Sequence, residues 1–235
     1  MSMPAHQPLM AVGTAVALLG SGLGLSPLAP AQAGGVSITS YGHSALLIKG
    51  DGQSVLVNPF KAVGCAKGLT EPRVSATVIL ASSELPDEGA RVADGTFLVK
   101  PGSYRVGGLR LEGFTAPHDR IGGRRYGQAT LWRWQQGGLS FAHLGGTAAS
   151  LSGDDKVLLG RPDVLIIGVG GGGKVYDGKE AVAVIQALNP RRVIPVQYVT
   201  GDAPAGCDQT GIQPFLDALS GVTVQRVGTS LTLPS

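Results

Sequence analysis

Past residue 33 the histidines are His43, His118 and His143, and few other side chains sit where they could do chemistry. Two carboxylates, Glu84 and Asp87, fall in the polar stretch 82–89, which also holds Ser82 and Pro86 and ends in Gly89. Just before it, Thr77-Val78-Ile79-Leu80 is short, apolar and β-branched, the pattern of a buried strand. A polar loop leaving a buried strand is where α/β proteins tend to place binding and catalytic groups. Glu84, Asp87 and His118 have the donor types to hold one oxygen-preferring divalent ion, or to serve without metal as a carboxylate–imidazole acid–base pair. A second loop, Gly168-Val169-Gly170-Gly171-Gly172-Gly173-Lys174-Val175, is close to a phosphate-binding P-loop. Val175 stands where that motif needs a hydroxyl for Mg²⁺, so a nucleotide site is not expected.

The elements that must position these groups alternate along the chain. Residues 36–41, 44–49 and 54–58 read as strands, the last two joined by the tight turn Gly50-Asp51-Gly52. Residues 96–99, 109–114, 163–167 and 192–198 read as further strands. The run 178–188 is an amphipathic helix with Ala181, Val184, Ile185 and Leu188 on one face. Asp177 and Glu180 form its capping box, and Asn189-Pro190 stops it. A short helix over 212–219 and two terminal strands close the chain.

Composition narrows the function classes. Residues 1–33 read as a cleaved export leader, with an apolar uncharged run over 9–25 and Ala31-Gln32-Ala33 as the cleavage site. Its glycines make it short for a retained membrane anchor, so no stable span is expected after cleavage. Residues 34–235 suffice for one domain with a sizeable core. A net charge of +3 without an aromatic-studded basic stripe argues against nucleic acid. Cys65 and Cys207 lack neighbouring histidines and make a poor zinc site. In an oxidising compartment a distant even pair points to one disulfide, with two free thiols the alternative. The destination is then periplasmic or another non-cytosolic compartment, the thylakoid lumen for a photosynthetic source.

Several segments taken in order resemble the metallo-β-lactamase-fold hydrolases, and among them the L-ascorbate-6-phosphate lactonase-like branch. The opening ITSYGHSALLIKGDGQSVLVNPF is similar to the Gly-His hairpin and Asp-Pro-Phe strand end of that branch, with Asn58 in place of the Asp. APHDRIGGRRYGQATLWRW, AHLGG and RVIPVQY resemble its later segments. The resemblance implies an αββα four-layer sandwich of two mixed sheets. It also maps the family's metal-ligand positions onto Ser82, Glu84, Pro86, Asp87, His118, Gly146 and Gln197. Pro86 and Gly146 have no donating side chain, and a dinuclear zinc site needs several imidazoles and carboxylates. No resident cofactor is therefore expected, the alternative being one divalent ion at Glu84, Asp87 and His118.

On this basis the chain is expected to bind a small anionic molecule in the former active-site cleft. His43, Ser82, His118, Arg124, Arg125, Lys174 and Gln197 would line it, with Arg120 beside them. His43 has the alternative of a satisfied, half-buried histidine that fixes its loop. Two other functions stay open: an altered hydrolase built on Glu84, Asp87 and His118, and a non-catalytic scaffold whose cleft is filled. The sequence does not fix the oligomeric state.

Overall fold

Residues 34–235 are described by the computed structural model, and the leader expected over 1–33 lies outside them. Two six-stranded mixed sheets pack face to face. The first sheet contains β1 (Gly35–Gly42), β2 (Ala45–Gly50), β3 (Gln53–Val57), β4 (Ser75–Leu80) and β5 (Asp94–Leu98). The second contains β6 (Gly102–Val106), β7 (Leu109–Pro117), β8 (Gln128–Gln136), β9 (Leu139–His143), β10 (Val164–Gly168) and β11 (Arg192–Val196). The last strand, β12 (Ser230–Pro234), returns to the first sheet and pairs antiparallel with β1. The strand orders are β12-β1-β2-β3-β4-β5 and β11-β10-β9-β8-β7-β6.

Alternation decides which side chains meet between the sheets. Ile38, Ile48, Val55, Val57, Val78 and Leu80 from the first sheet face Leu111, Trp132, Trp134, Phe141 and Ile166 from the second. Trp134 stacks on Phe141 with ring centroids 4.9 Å apart. Hydrogen bonds tie the sheets at both ends of this core. The Trp132 indole N–H donates to the Ala81 carbonyl at 2.9 Å, and the Gln136 amide donates to the Gln53 carbonyl at 3.0 Å. A polar side chain at full burial needs such a partner, or it costs the desolvation of its polar group.

The helices α1 (Gly153–Leu159), α2 (Gly178–Leu188) and α3 (Gln213–Ala218) lie on the second sheet's side. The predicted capping box of α2 is present, with Asp177 accepting from the Glu180 N–H and Glu180 accepting from the Asp177 N–H. Ala181, Val184 and Leu188 bury its apolar face. The helix α1 was not expected from the sequence; its signal is the same device, Ser152 with Asp155 three residues on. On the first sheet's outer face Leu47, Leu56, Ala76 and Ile79 are covered by Tyr41, Val74, Ala93 and Phe97, so loops and strand ends supply that layer. The two terminal strands expected from the sequence are one. β12 pairs, whereas 221–229 carries no sheet pairing, and its Val222, Val224 and Val227 stay about half exposed. Among the described residues no helix is long and apolar enough to cross a membrane.

Cys65 and Cys207 form a disulfide across a sequence separation of 142. Closing a loop of that length removes about 5 kcal/mol of unfolded-chain entropy in the chain-entropy picture. Trp132→Phe is expected to leave the Ala81 carbonyl unpaired and to cost about 1–3 kcal/mol. Urea unfolding of the two proteins would measure it, and an unchanged midpoint would show that this cross-sheet bond contributes nothing net.

Candidate functional site

The C-terminal ends of β3, β4, β9 and β11 bring their following residues to one end of the sandwich. Three residues there, following β1, β3 and β11, sit in the left-handed region that non-glycine residues seldom occupy: His43 at φ 46°, Asn58 at 41° and Gln197 at 52°. Such backbone persists only where surrounding contacts over-determine it, and it gathers at functional sites. Here the contacts are explicit. The Gln197 N–H donates to the His43 carbonyl at 2.8 Å. The Asn58 side chain spans to Ser82, donating to its hydroxyl and accepting from its N–H, both at 2.8 Å.

The centre of this end is Glu88, a residue that sequence reasoning did not single out. Its side chain is wholly buried. It accepts hydrogen bonds from three side chains: His118 Nε2 at 2.5 Å, the Ser83 hydroxyl at 2.6 Å and the Gln197 amide at 2.8 Å. His118 and Gln197 are themselves buried. A Cβ added to Gly146 would lie 1.9 Å from Glu88 Oε2, so the carboxylate fills the space that a side chain at position 146 would need. The nearest signal in the sequence was the missing side chain at Gly146, which left volume and charge unaccounted for.

Burial by itself would favour neutral Glu88, but the His118 hydrogen bond and charge override it and hold the carboxyl far below its usual range. Burial likewise pushes His118 down, and the Glu88 bond and charge more than reverse that, raising it. Both shifts favour the imidazolium–carboxylate form of the pair. His143 lies on the same face of β9 as the core residue Phe141 and is fully buried; burial drops its pKa to about 4, against a weaker pull from Glu88. Burial also lowers His43, with Asp87 and Glu88 opposing.

The other candidate residues are not gathered at this centre. Glu84 is exposed and faces Arg91 at 3.9 Å. Pro86 is exposed, and Leu85 is half-buried. The Asp87 carboxylate is bound by the Lys174 ammonium. Arg120 pairs with Glu180 and donates to the Gly172 and Val175 carbonyls. Arg124 and Arg125 are exposed, and Arg125 lies over the Tyr126 ring at 4.9 Å. Their loop is held by buried Asp119. Burial works against its ionisation, but the N–H groups of Tyr126, Arg125, Ile121 and Gly123 keep its carboxyl below the ordinary range.

These placements test whether the residues fit the metal centre of the fold family. Among the described residues no group of three or more His, Cys, Asp or Glu side chains could hold a metal ion. The Ser82 hydroxyl is engaged by Asn58 and the Gly146 N–H, and His118 Nε2 is engaged by Glu88. Gln197 spends its amide N–H on Glu88 while its Oε1 lies buried without a partner. The side-chain set does not fit a dinuclear zinc site.

Glu88→Gln should leave buried His118 without its counter-charge, lower stability by about 3–5 kcal/mol and lower the His118 pKa, read by imidazole NMR and urea unfolding. The pH dependence has a definite sign. His118 was raised, so its contribution is full below pH 6.5 and fades as pH rises through its folded value. Glu88 was lowered, so its contribution is present above pH 4.5 and is lost as pH falls towards about 2. Between about pH 6 and 4.5 a slope of the opposite sign to that of His118 therefore comes from His143, which the folded chain holds neutral down to about pH 4, with a contribution in the same direction from His43, whose pKa is lowered. Stability should fall across that interval and on to pH 4, by on the order of 3 kcal/mol for His143, and His143→Gln should flatten the fall.

Comparison with known proteins agrees with this architecture. A Thermotoga maritima protein assigned as a Zn-dependent hydrolase of the metallo-beta-lactamase superfamily superposes with a TM-score of 0.67 at 25% identity, covering 83% of this chain and 91% of its own. A metallo hydrolase from the archaeon Ignicoccus hospitalis gives 0.60 at 17% identity, covering 86% and 99%. A metallo-beta-lactamase fold protein from Bacillus subtilis gives 0.57 at 11%, covering 85% and 99%; at these identities the last two speak to fold alone. No protein of curated function matches the sequence. The family model described as the beta-lactamase superfamily domain matches residues 37–197, more than half of the chain. With that match and two mixed sheets in the metallo-β-lactamase arrangement, the chain belongs to the beta-lactamase superfamily domain family.

Proposed function

We propose that this chain is an exported superfamily member that has lost the dinuclear zinc site and acts by binding rather than by hydrolysis. The observation that carries this is Glu88. A carboxylate of the protein itself takes the space beside Gly146 and accepts the hydrogen bonds of His118 and Gln197. These are three of the positions that the lactonase-like branch would give to metal ligation, and Pro86 and Ser82 add no imidazole. An acid–base hydrolase built on Glu84, Asp87 and His118 has less support, because the three side chains face Arg91, Lys174 and Glu88 respectively.

Glu88, His118 and Gln197 are buried, so a ligand at this end of the sandwich would meet the surrounding loops first. Arg124 and Arg125 have no carboxylate partner among the described residues; Arg124 donates to the Ile121 carbonyl and Arg125 lies over Tyr126, and a small anionic molecule is the ligand class that two exposed guanidinium groups on one loop favour. The disulfide fits a non-cytosolic compartment.

Elemental analysis of protein purified without chelator or affinity-tag metal should find well below one zinc per chain. Near-stoichiometric metal that is lost in a Glu84→Ala/His118→Ala variant would sink this proposal and restore the hydrolase. For the ligand class, titration with inorganic phosphate and citrate should shift the amide signals of 119–127. An Arg124→Ala/Arg125→Ala variant should weaken that response by about tenfold or more.

A further inference from the structure

The rim above Glu88 is closed by a ring of contacts that runs through sulfur. Cys65 lies in the 3₁₀ turn Gly64–Ala66, and a Cβ on Gly64 would be 3.5 Å from the Asp87 carboxylate. Asp87 binds Lys174. The preceding residue, Gly173, donates its N–H to Asp208 at 2.8 Å, and Asp208 follows Cys207. The Cys65–Cys207 bond closes the circuit. This ring borders the buried pair: Lys174 Nζ lies 5.9 Å from the centre of the Tyr126 ring, which is itself 5.9 Å from that of His118. Lys174 acts electrostatically on Glu88, His118 and His43, and the Lys174 and Asp87 side chains are only 15% and 13% exposed above groups that are sealed from solvent.

The two sides of the ring are held unequally. On the Cys65 side Ala66 and Phe60 are packed in an apolar cluster with Ala45. On the Cys207 side residues 200–203, 205, 206 and 208 are exposed, and none of 199–211 joins an apolar cluster of the described residues. Apart from the disulfide, the outer part of this loop is fastened by Asp208 on Gly173 and the Cys207 N–H on the Pro204 carbonyl, while its base is held by the Val199–Thr210 pairing, the Thr210 N–H and hydroxyl on the Gly170 carbonyl, and buried Gln209. A segment with few buried contacts opens at low free energy once a tether is cut. Both cysteines are partly exposed, within reach of a reductant.

We propose that Cys65–Cys207 is a redox latch: its reduction frees the outer part of loop 200–209, loosens its Asp208 hold on Gly173 and uncovers the Glu88–His118 pair while the sandwich stays folded. A dithiol reductant balances the step. One of its thiolates attacks a protein sulfur, forming a mixed disulfide and releasing the other protein sulfur as thiolate. Its second thiolate then displaces the first protein sulfur. Two electrons and two protons pass to the protein, which holds two thiols, and the reductant leaves as its cyclic disulfide. The latch depends neither on the absence of zinc nor on an anionic ligand, so it stands or fails separately from the function proposed above.

The test is hydrogen exchange read by mass spectrometry on the folded mature chain, oxidised and then reduced with dithiothreitol. A Cys65→Ser/Cys207→Ser variant and an Asp208→Asn variant with the disulfide intact run alongside. Reduction should speed exchange by about tenfold or more at Gly173 and over 200–208, with less than about twofold change in β8, β9 and β10. The double serine variant should match the reduced protein, and Asp208→Asn should show a smaller rise near Gly173. Acceleration spread evenly over the sandwich would make the disulfide a plain structural staple and overturn the proposal. So would no local acceleration, or two free thiols in the protein as purified. Reduction is done on already folded protein, so failure of the serine variant to fold does not remove the test.

Discussion

Burying the Glu88 carboxylate is the constraint around which this end of the molecule is arranged. An isolated ionised carboxylate at zero exposure would cost far more than a domain's net stability, so it must be paired and hydrogen-bonded. His118 provides the charge, and Ser83 and Gln197 provide further donors. Gly146 provides the space. Each of these residues is reached from a different part of the chain, so Glu88 links the loop after β4, the end of β7, the turn after β9 and the end of β11. The left-handed backbone at His43 and Gln197 belongs to the same arrangement, since the Gln197 N–H meets the His43 carbonyl.

The same principle governs the rim. Groups that would attract an anion are met by carboxylates of the chain: Arg120 by Glu180, Lys174 by Asp87, and the Gly173 N–H by Asp208. A hydrolase of this fold concentrates positive charge in metal ions at the floor of the cleft and leaves the approach open. Here the floor carries a negative charge neutralised by one imidazolium, and the approach is fastened by a disulfide and two carboxylates. The residual positive charge lies outermost, on Arg124 and Arg125, carried by a loop that Asp119 organises through four backbone hydrogen bonds.

Much of the scaffold was legible because its causes are local. Alternation in β1 to β3 and the apolar runs of β4 and β10 gave strands where the structure has them, and Asp177 with Glu180 marked the start of α2. The helix α1 escaped notice although Ser152 and Asp155 carry the same capping signal, since seven residues with a thin apolar face leave little periodicity to detect. The opposite error was the valine run before β12. Val222 and Val224 alternate as a strand should, but pairing requires a neighbouring edge, and no local pattern reports whether one is free. The candidate site was legible only as a location. Glu84 and Asp87 were chosen over Glu88 because resemblance aligned them with ligand positions; within one loop, an offset of one or four residues turns a carboxylate from solvent to core.

By itself, then, the sequence determined the runs that become strands and the start of α2, and the small number of histidines past residue 33, while the two-sheet architecture was implied by the resemblance. The first three follow from residue type, periodicity and count. Only the tertiary structure decided that Glu88 points inward to His118 and Gln197, that Lys174 and Arg120 are matched by Asp87 and Glu180, and that Cys65 meets Cys207. Those contacts join residues 30 to 142 positions apart, and the partner of a buried charge is chosen by the packing of distant strands, which leaves no mark in the pattern around either residue.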